Sequence, residues 1–384
     1  MSEALKIPSS AELVIPNAKS KSQRQVVWEQ FRKHQLAVFG GIVLMALYIG
    51  ALFAPFISPY GLSEYSTSDI TKFHPPTQVY FFDPETNLPS LPFVYKAKRD
   101  VNMETFVTEF REDRTQGKFF VKLFVNRPEQ PYSLFGFIPM NVRLFGVEEP
   151  ARVFLLGADS YGRDIFTRIW FGAQISLTIG IFAVFLTTIL GFIFGGLAGY
   201  YGGWVDNIIM RAVEILGAIP TLILLITLTS ALPQSLDPIL VFYSIIAFLG
   251  VIGWGGNARS IRSQILALRE VDYVQAATAL GAREARIIGV HMLPVTFSLT
   301  IVGLSLSIPG FILTEAVLSF IGFGIREPYS SWGLMLNNAQ EGGFASINSR
   351  PWVLIPGFFI VLAVLCWNFL GDGLRDAFDP RKRQ

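Results

Sequence analysis

Few side chains in this sequence could do chemistry, and their types narrow what that chemistry is. Glu315 lies deep inside an apolar run, with Ser319 one helical turn later. A carboxylate there is costly, so it marks either a polar translocation path or a brace to a neighbouring helix. Arg211 and Glu214, three apart, are spaced to pair on one helix face. The histidines His34, His74 and His291 stand far apart, and neither an HExxH nor a GxSxG pattern occurs. A metal-dependent or serine hydrolase mechanism therefore lacks its residues. No GxxxxGK[ST] phosphate loop is present, and the stretch GGLAGYYGG has no lysine after it. The chain is thus expected to bind no cofactor and no ATP of its own. Cys366, the single cysteine, falls in an apolar run and reads as a packing residue.

The elements that must position these residues follow from composition. The 384 residues are 51% hydrophobic and 16% charged, whereas a soluble chain carries about 25% charged residues. A net charge of +2, with no concentrated basic patch, argues against a nucleic-acid partner. Six long segments are nearly free of charge: Leu36–Ile57, Phe171–Tyr200, Ile208–Ala231, Ile239–Gly256, Val295–Phe323 and Trp352–Gly371. Each can cross a hydrocarbon core of about 30 Å, and in lipid they must be helices. The first has no small-residue cleavage site after it and reads as an uncleaved span rather than a signal peptide. Gly191, Gly195 and Gly199, one every fourth position, form a face on which another helix can pack closely.

Basic residues set the expected orientation. They gather in the N-terminal tail (Lys6, Lys19, Lys21, Arg24, Arg32, Lys33), between the fourth and fifth runs (Arg259, Arg262, Arg269, Arg283, Arg286), and at the end (Arg375, Arg381, Lys382, Arg383). With six spans these segments share the cytoplasmic side. The expected layout is a cytoplasmic tail over 1–35, a first span over 36–57 and an extracytoplasmic insert over 58–168. A membrane core over 169–372 follows, with a cytoplasmic loop over 257–294 and a tail over 373–384. In the insert, KFFVKLFV and VRLFGV read as strands, Asn102–Arg111 as a helix and DPETN as a turn, giving an α+β pattern.

The loop between the fourth and fifth runs contains DYVQAATALGAREARIIGVHMLP, Asp272–Pro294. Asp272 is placed to cap a helix YVQAATAL, Gly281 to turn the chain out of it, and REARIIGVHM to form a second helix up to Pro294. Such a knob offers Ala276, Ala277 and Ala279 for close approach, Tyr273, Val274 and Leu280 for apolar contact, and Arg283 and Arg286 as positive charge. The stretch resembles the EAA loop of bacterial ABC importer permeases: Glu-Ala-Ala, three residues, Gly, nine residues, Ile, any residue, Leu-Pro. Gln275 replaces the Glu and His291 the Ile; Ala276-Ala277, Gly281 and Leu293-Pro294 match. Leu156–Leu177, with Gly162-Arg163-Asp164 at its centre and Gln174 where Arg is frequent, resembles the approach to the second span of oligopeptide/dipeptide permeases of the C type. Glu315–Leu336 and Leu370–Arg381 resemble their fifth-span loop and tail.

The resemblance implies a type I-like importer fold of six transmembrane helices, all-α apart from the insert, and a location in a prokaryotic inner membrane. It also implies ATPase docking through Tyr273, Val274, Gln275, Ala276, Ala277, Leu280, Gly281, Arg283 and Arg286, and a path near Glu315 and Ser319. The implied partners are a second related permease, two ATP-binding cassette ATPases holding ATP and Mg, and an extracytoplasmic substrate-binding protein. The cargo class is oligopeptides or dipeptides, with nickel, glutathione-like and oligosaccharide cargo as alternatives. Two readings from other classes stand beside it: a secondary transporter, which should show titratable residues in its spans, and a membrane-anchored receptor whose insert is the working part.

Overall fold

A computed structural model describes residues 23–64, 71–101, 108–340 and 343–378; the expected basic clusters at Lys6–Lys21 and Arg381–Arg383 lie outside them. The chain opens with α1 (Gln23–Lys33), α2 (Gln35–Leu52) and α3 (Ala54–Ile57). His34 starts α2 by accepting the Ala37 N–H on its ring nitrogen, which satisfies one of the orphan donors of a first helical turn. After the insert come α4 (Ile165–Tyr201), α5 (Gly203–Ala218), α6 (Thr221–Ser230), α7 (Pro238–Arg269), α8 (Asp272–Ala279) and α9 (Glu284–Arg286). The chain ends with α10 (Leu293–Phe320), α11 (Trp332–Gln340), α12 (Gly343–Ser349) and α13 (Ile355–Phe378).

Among the described residues, five helical stretches are long and apolar enough to cross a membrane: Gln35–Leu52, Ile165–Tyr201, Pro238–Arg269, Thr300–Phe320 and Pro351–Phe378. The expected third run, Ile208–Ala231, is not one straight helix. It breaks into α5 and α6, bent by 83°. Pro220 has no N–H to give the preceding turn, and its ring pushes Ile219 to extended dihedrals, φ −94° and ψ 128°. The fourth run continues past Gly256 to Arg269 without a break.

The glycine face of α4 meets α7. A Cβ on Gly195 would lie 2.5 Å from the Ala258 carbonyl oxygen, so only glycine permits this approach; Gly191 faces Asn257, and Gly199 faces Arg262 and Ile265. Rising numbers on α4 meet rising numbers on α7, so the two helices run parallel. The bent pair runs back between their opposite ends. Val213 of α5 packs with Trp254 and Ala258, and Leu225 of α6 with Val241 and Ile245. A second core joins α2, α4, α10 and α13 through Leu47, Ile169, Ile308, Ile312 and Ala363. Trp332 is wholly buried in it and donates its indole N–H to the Ile169 carbonyl at 3.1 Å.

The insert is antiparallel. Its strands are β1 (Tyr80–Phe82), β2 (Pro89–Val94), β3 (Lys96–Val101), β4 (Thr108–Asp113), β5 (Phe119–Phe120), β6 (Lys122–Asn126), β7 (Tyr132–Leu134), β8 (Ile138–Met140) and β9 (Val142–Gly146). They pair as β1–β2–β5, β3–β4, β6–β9 and β7–β8. The expected strands are there. The helix expected over Asn102–Arg111 is strand in its second part, because β4 pairs with β3 and Phe110 packs its ring on His74 at 4.9 Å; residues 102–107 lie outside the described residues. Arg143 of β9 ties the insert's strands to α3 and the turn that follows it. Its buried guanidinium donates to the carbonyls of Pro55, Ser58 and Tyr60 at 3.3, 3.1 and 2.8 Å.

Candidate coupling surface and the polar braces behind it

The cap of α8 is Val271, not Asp272, which sits in the first turn. There the carboxylate still complements the positive end of the helix dipole. The helix ends as the glycine spacing requires. The Gly281 N–H donates to the Thr278 carbonyl and the Ala282 N–H to the Ala277 carbonyl, at 3.0 and 3.1 Å. This is a Schellman ending, which needs a left-handed residue just past the cap; Gly281 supplies it with φ +75°. Arg283 then precedes the single turn of α9, and Ile287–Met292 winds as a π-helical turn rather than the regular helix expected there.

The expected docking residues divide into two sets. Val274 is 1% exposed and packs with Ile261, Ile265, Ile287 and Met292, while Ala277 is half-buried on the same cluster. These two mount the knob on α7 and on the π-helical turn that leads into α10, and do not face outward. Tyr273, Gln275, Ala276, Gly281, Arg283 and Arg286 are exposed, and Leu280 is 88% exposed. Tyr273 also donates its hydroxyl to the His291 carbonyl at 3.3 Å, tying the two halves of the knob. Behind it, Arg262 of α7 forms a two-pronged ion pair with Asp206 of α5. Arg269 donates to the Tyr200 carbonyl at 3.2 Å, and Tyr201 to the Glu284 carboxylate at 2.8 Å. The arrangement is an exposed tip of apolar and polar side chains on a buried apolar mount.

Glu315 is 1% exposed. It accepts hydrogen bonds from Ser319 at 2.7 Å and from Ser176 of α4 at 3.2 Å, and Ser176 in turn accepts the Trp332 N–H at 3.1 Å. Through these bonds Glu315 and Ser319 join α10 to α4 and to the start of α11. Gln174 works similarly, donating to the Ala51 carbonyl at the end of α2 at 2.8 Å. Arg211 and Glu214 pair as expected, at 2.9 Å on an exposed face.

A second brace joins two of the family-like segments, a pairing the sequence alone did not show. Arg163, before α4, donates to Asp159 at 2.7 Å and to Glu327 at 2.8 Å. Arg168, in the first turns of α4 and 1% exposed, reaches the same Glu327 oxygen at 3.0 Å, with Asn338 adding a bond at 3.3 Å. Burial works to raise the Glu327 carboxyl, but the Arg168 and Arg163 guanidiniums outweigh it and hold it below its ordinary value. Asp164 goes the other way. It caps α4 by accepting the Thr167 N–H at 2.8 Å, and burial pushes its carboxyl up to about 7. The sequence placed Arg163, Asp164 and Arg168 in one family-like segment, Leu156–Leu177, and Glu327 in another, Glu315–Leu336, but nothing in the spacing paired Arg168 with Glu327.

Comparison with known sequences matches residues 188–384 to the family described as binding-protein-dependent transport system inner membrane component. Residues 22–76 match the N-terminal transmembrane domain of oligopeptide transport permease C. Among curated relatives, the dipeptide transport system permease protein of Bacillus subtilis is 32% identical over 367 residues, covering 95% of this chain and 88% of the relative. The oligopeptide transport system permease protein of Haemophilus influenzae is 42% identical over 228 residues, 59% of this chain and 70% of the relative. A glutathione transport system permease protein of Pectobacterium atrosepticum is 40% identical over 238 residues, 61% and 75% of the two chains. The chain therefore belongs to the binding-protein-dependent transport system inner membrane components, among the permeases of the oligopeptide C type.

Proposed function

We propose that this chain is one of two permease subunits of an ATP-driven importer that carries oligopeptides or dipeptides across a prokaryotic inner membrane. The observation that carries the mechanism is the exposed tip Tyr273–Ala276–Leu280 on its buried Val274 mount. A separate ATPase, holding ATP and Mg, receives the tip in a groove; its closure pushes α8, and the push reaches α7 and, through the turn Ile287–Met292, α10, because Val274 is packed between α7 and that turn. Gln275, exposed, offers an amide there in place of a carboxylate. The peptide cargo rests on the names of the relatives, two of which are dipeptide and oligopeptide permeases.

Six crossings are the reading favoured here. Helices α4 and α7 run parallel, so the chain between them has to return through the membrane, and α5 with α6 is the segment that does so. The basic loop Arg259–Arg286 then faces the cytoplasm together with both termini. The insert lies outside, where a substrate-binding protein delivers cargo. Affinity purification of the tagged chain in mild detergent tests the assembly. Stoichiometric recovery of a second permease and ATPases supports it, and recovery of the chain alone in every gentle detergent would remove it. Uptake of labelled dipeptides, lost on deletion and restored by the gene, tests the cargo.

A further inference from the structure

The first span has an exposed apolar stripe that does not stop where the helix stops. Ile42, Met45, Ile49 and Leu52 are all exposed at alternating steps of three and four on α2, the spacing of one helix face. One more step of four reaches Phe56 in α3, and its ring lies 6.4 Å from Phe124 of the insert. Beside it, Phe53 packs edge-on to Phe135 at 5.3 Å, and Phe135 lies 6.3 Å from Phe137 at the tip of the β7–β8 hairpin. Phe124 is 64% exposed and Phe137 75% exposed. Phe124 and Phe135 both stand at positive φ, 55° and 56°. Bulky side chains rarely adopt that backbone, and such strain persists where the surroundings hold it for a use.

We propose that Phe124, Phe135 and Phe137 form a membrane wedge: they enter the lipid interface beside the outer end of the first span and seat the insert on the bilayer surface. Continuity names the occupant. The stripe on α2 is apolar and exposed on a helix long enough to cross a membrane, so lipid is the occupant it fits, and the three rings continue it at the level where its helix ends. Aromatic side chains favour that depth, where one part of the environment is apolar and the rest wet. The Arg143 clamp on Pro55, Ser58 and Tyr60 fixes the height of the wedge, because Arg143 of β9 pairs with Val125 of β6, the residue next to Phe124. The proposal concerns lipid contact alone and stands or falls independently of cargo and ATPase.

The test uses the full chain in phosphatidylcholine vesicles, with a bimane fluorophore on Phe137→Cys, on Phe124→Cys, and on Glu85→Cys in the exposed β1–β2 turn as the reference. The native chain, whose Cys366 is buried, serves as the unlabelled blank. Lipids carrying a nitroxide at a shallow acyl position should quench positions 137 and 124 at least twofold more than position 85, while iodide in the buffer should quench position 85 more. Equal quenching of all three by iodide, with none by the nitroxide lipid, would overturn the wedge. Protection of positions 137 and 124 from both quenchers would overturn it too, and would place a protein surface over these rings instead.

Discussion

Arg168 and Glu327, 159 residues apart, meet at 3.0 Å where α4 begins. The contact, shared with Arg163, ties the loop after α10 to the start of α4. Solvent reaches part of Glu327 but not Arg168, which is 1% exposed. Losing one member of a buried pair costs roughly 3–5 kcal/mol; here partial screening brings the expectation for Glu327→Gln to about 2 kcal/mol. Thermal unfolding in detergent should show it as a drop of several degrees that survives moderate salt. A salt-sensitive or absent shift would mean the pair is a surface contact.

Asp164 predicts a pH dependence of definite sign. Its folded value, about 7, lies above the ordinary 3.8, so folding favours the protonated form. Its contribution is complete below pH 3.8 and is lost as pH rises to 7, after which it is constant. Glu327, held low, acts oppositely and only in the acid range below about 4.5. Between pH 5 and 7, therefore, Asp164 takes stability from the native chain as pH rises, while the buried His74 imidazole, held below its ordinary 6.5, works in the opposite direction. Asp164→Asn keeps an acceptor for Thr167 and should flatten that slope, gaining on the native chain above pH 7. Parallel melting curves for the two proteins across this range would exclude the buried carboxyl.

Gly281 can be tested by backbone alone, since no atom lies within 4 Å of where its Cβ would be. Gly281→Asn, which tolerates the left-handed region, should retain most transport-coupled ATPase activity. Gly281→Ala should lose part of it, at a conformational cost of about 1 kcal/mol. Gly281→Val should lose nearly all. Equal activity in the three variants would show that the turn is not part of the lever.

The two sides of α8 should separate cleanly. Val274→Ala empties part of a packed cluster and should cost about 1–2 kcal/mol of stability, with ATPase still bound to the folded protein. Leu280→Asp and Ala276→Trp change exposed positions and should leave the melting temperature within a degree or so while abolishing ATPase co-purification. Co-purification undiminished in both of these would move the docking surface elsewhere.

How much of this was readable from the residues depends on how far the deciding contact lies. The glycine face of α4 was legible because a spacing of four is a local property of a helix, and Gly281 because a Schellman turn is set within six residues. The inward side of Val274 was not, since α8 is too short for its periodicity to say which face is covered. Phe110 was read into a helix, yet it sits in a strand held by its ring contact with His74 and its pairing with Arg99. The break at Pro220 was legible in principle from its missing N–H, and the apolarity of the run masked it. Glu327 could not be assigned to Arg163 and Arg168 without the fold that brings them together.

The bend between α5 and α6 has a consequence for where water must be. A helix end leaves its first N–H and last C=O groups without intrahelical partners, and Pro220 provides no side-chain cap for α6. Hydrocarbon cannot satisfy those groups, so a break at membrane depth has to face solvent or another polypeptide. The exposed elbow at Ile219–Pro220 is therefore expected to meet water or protein rather than acyl chains, a requirement that the continuous helix α2 does not carry.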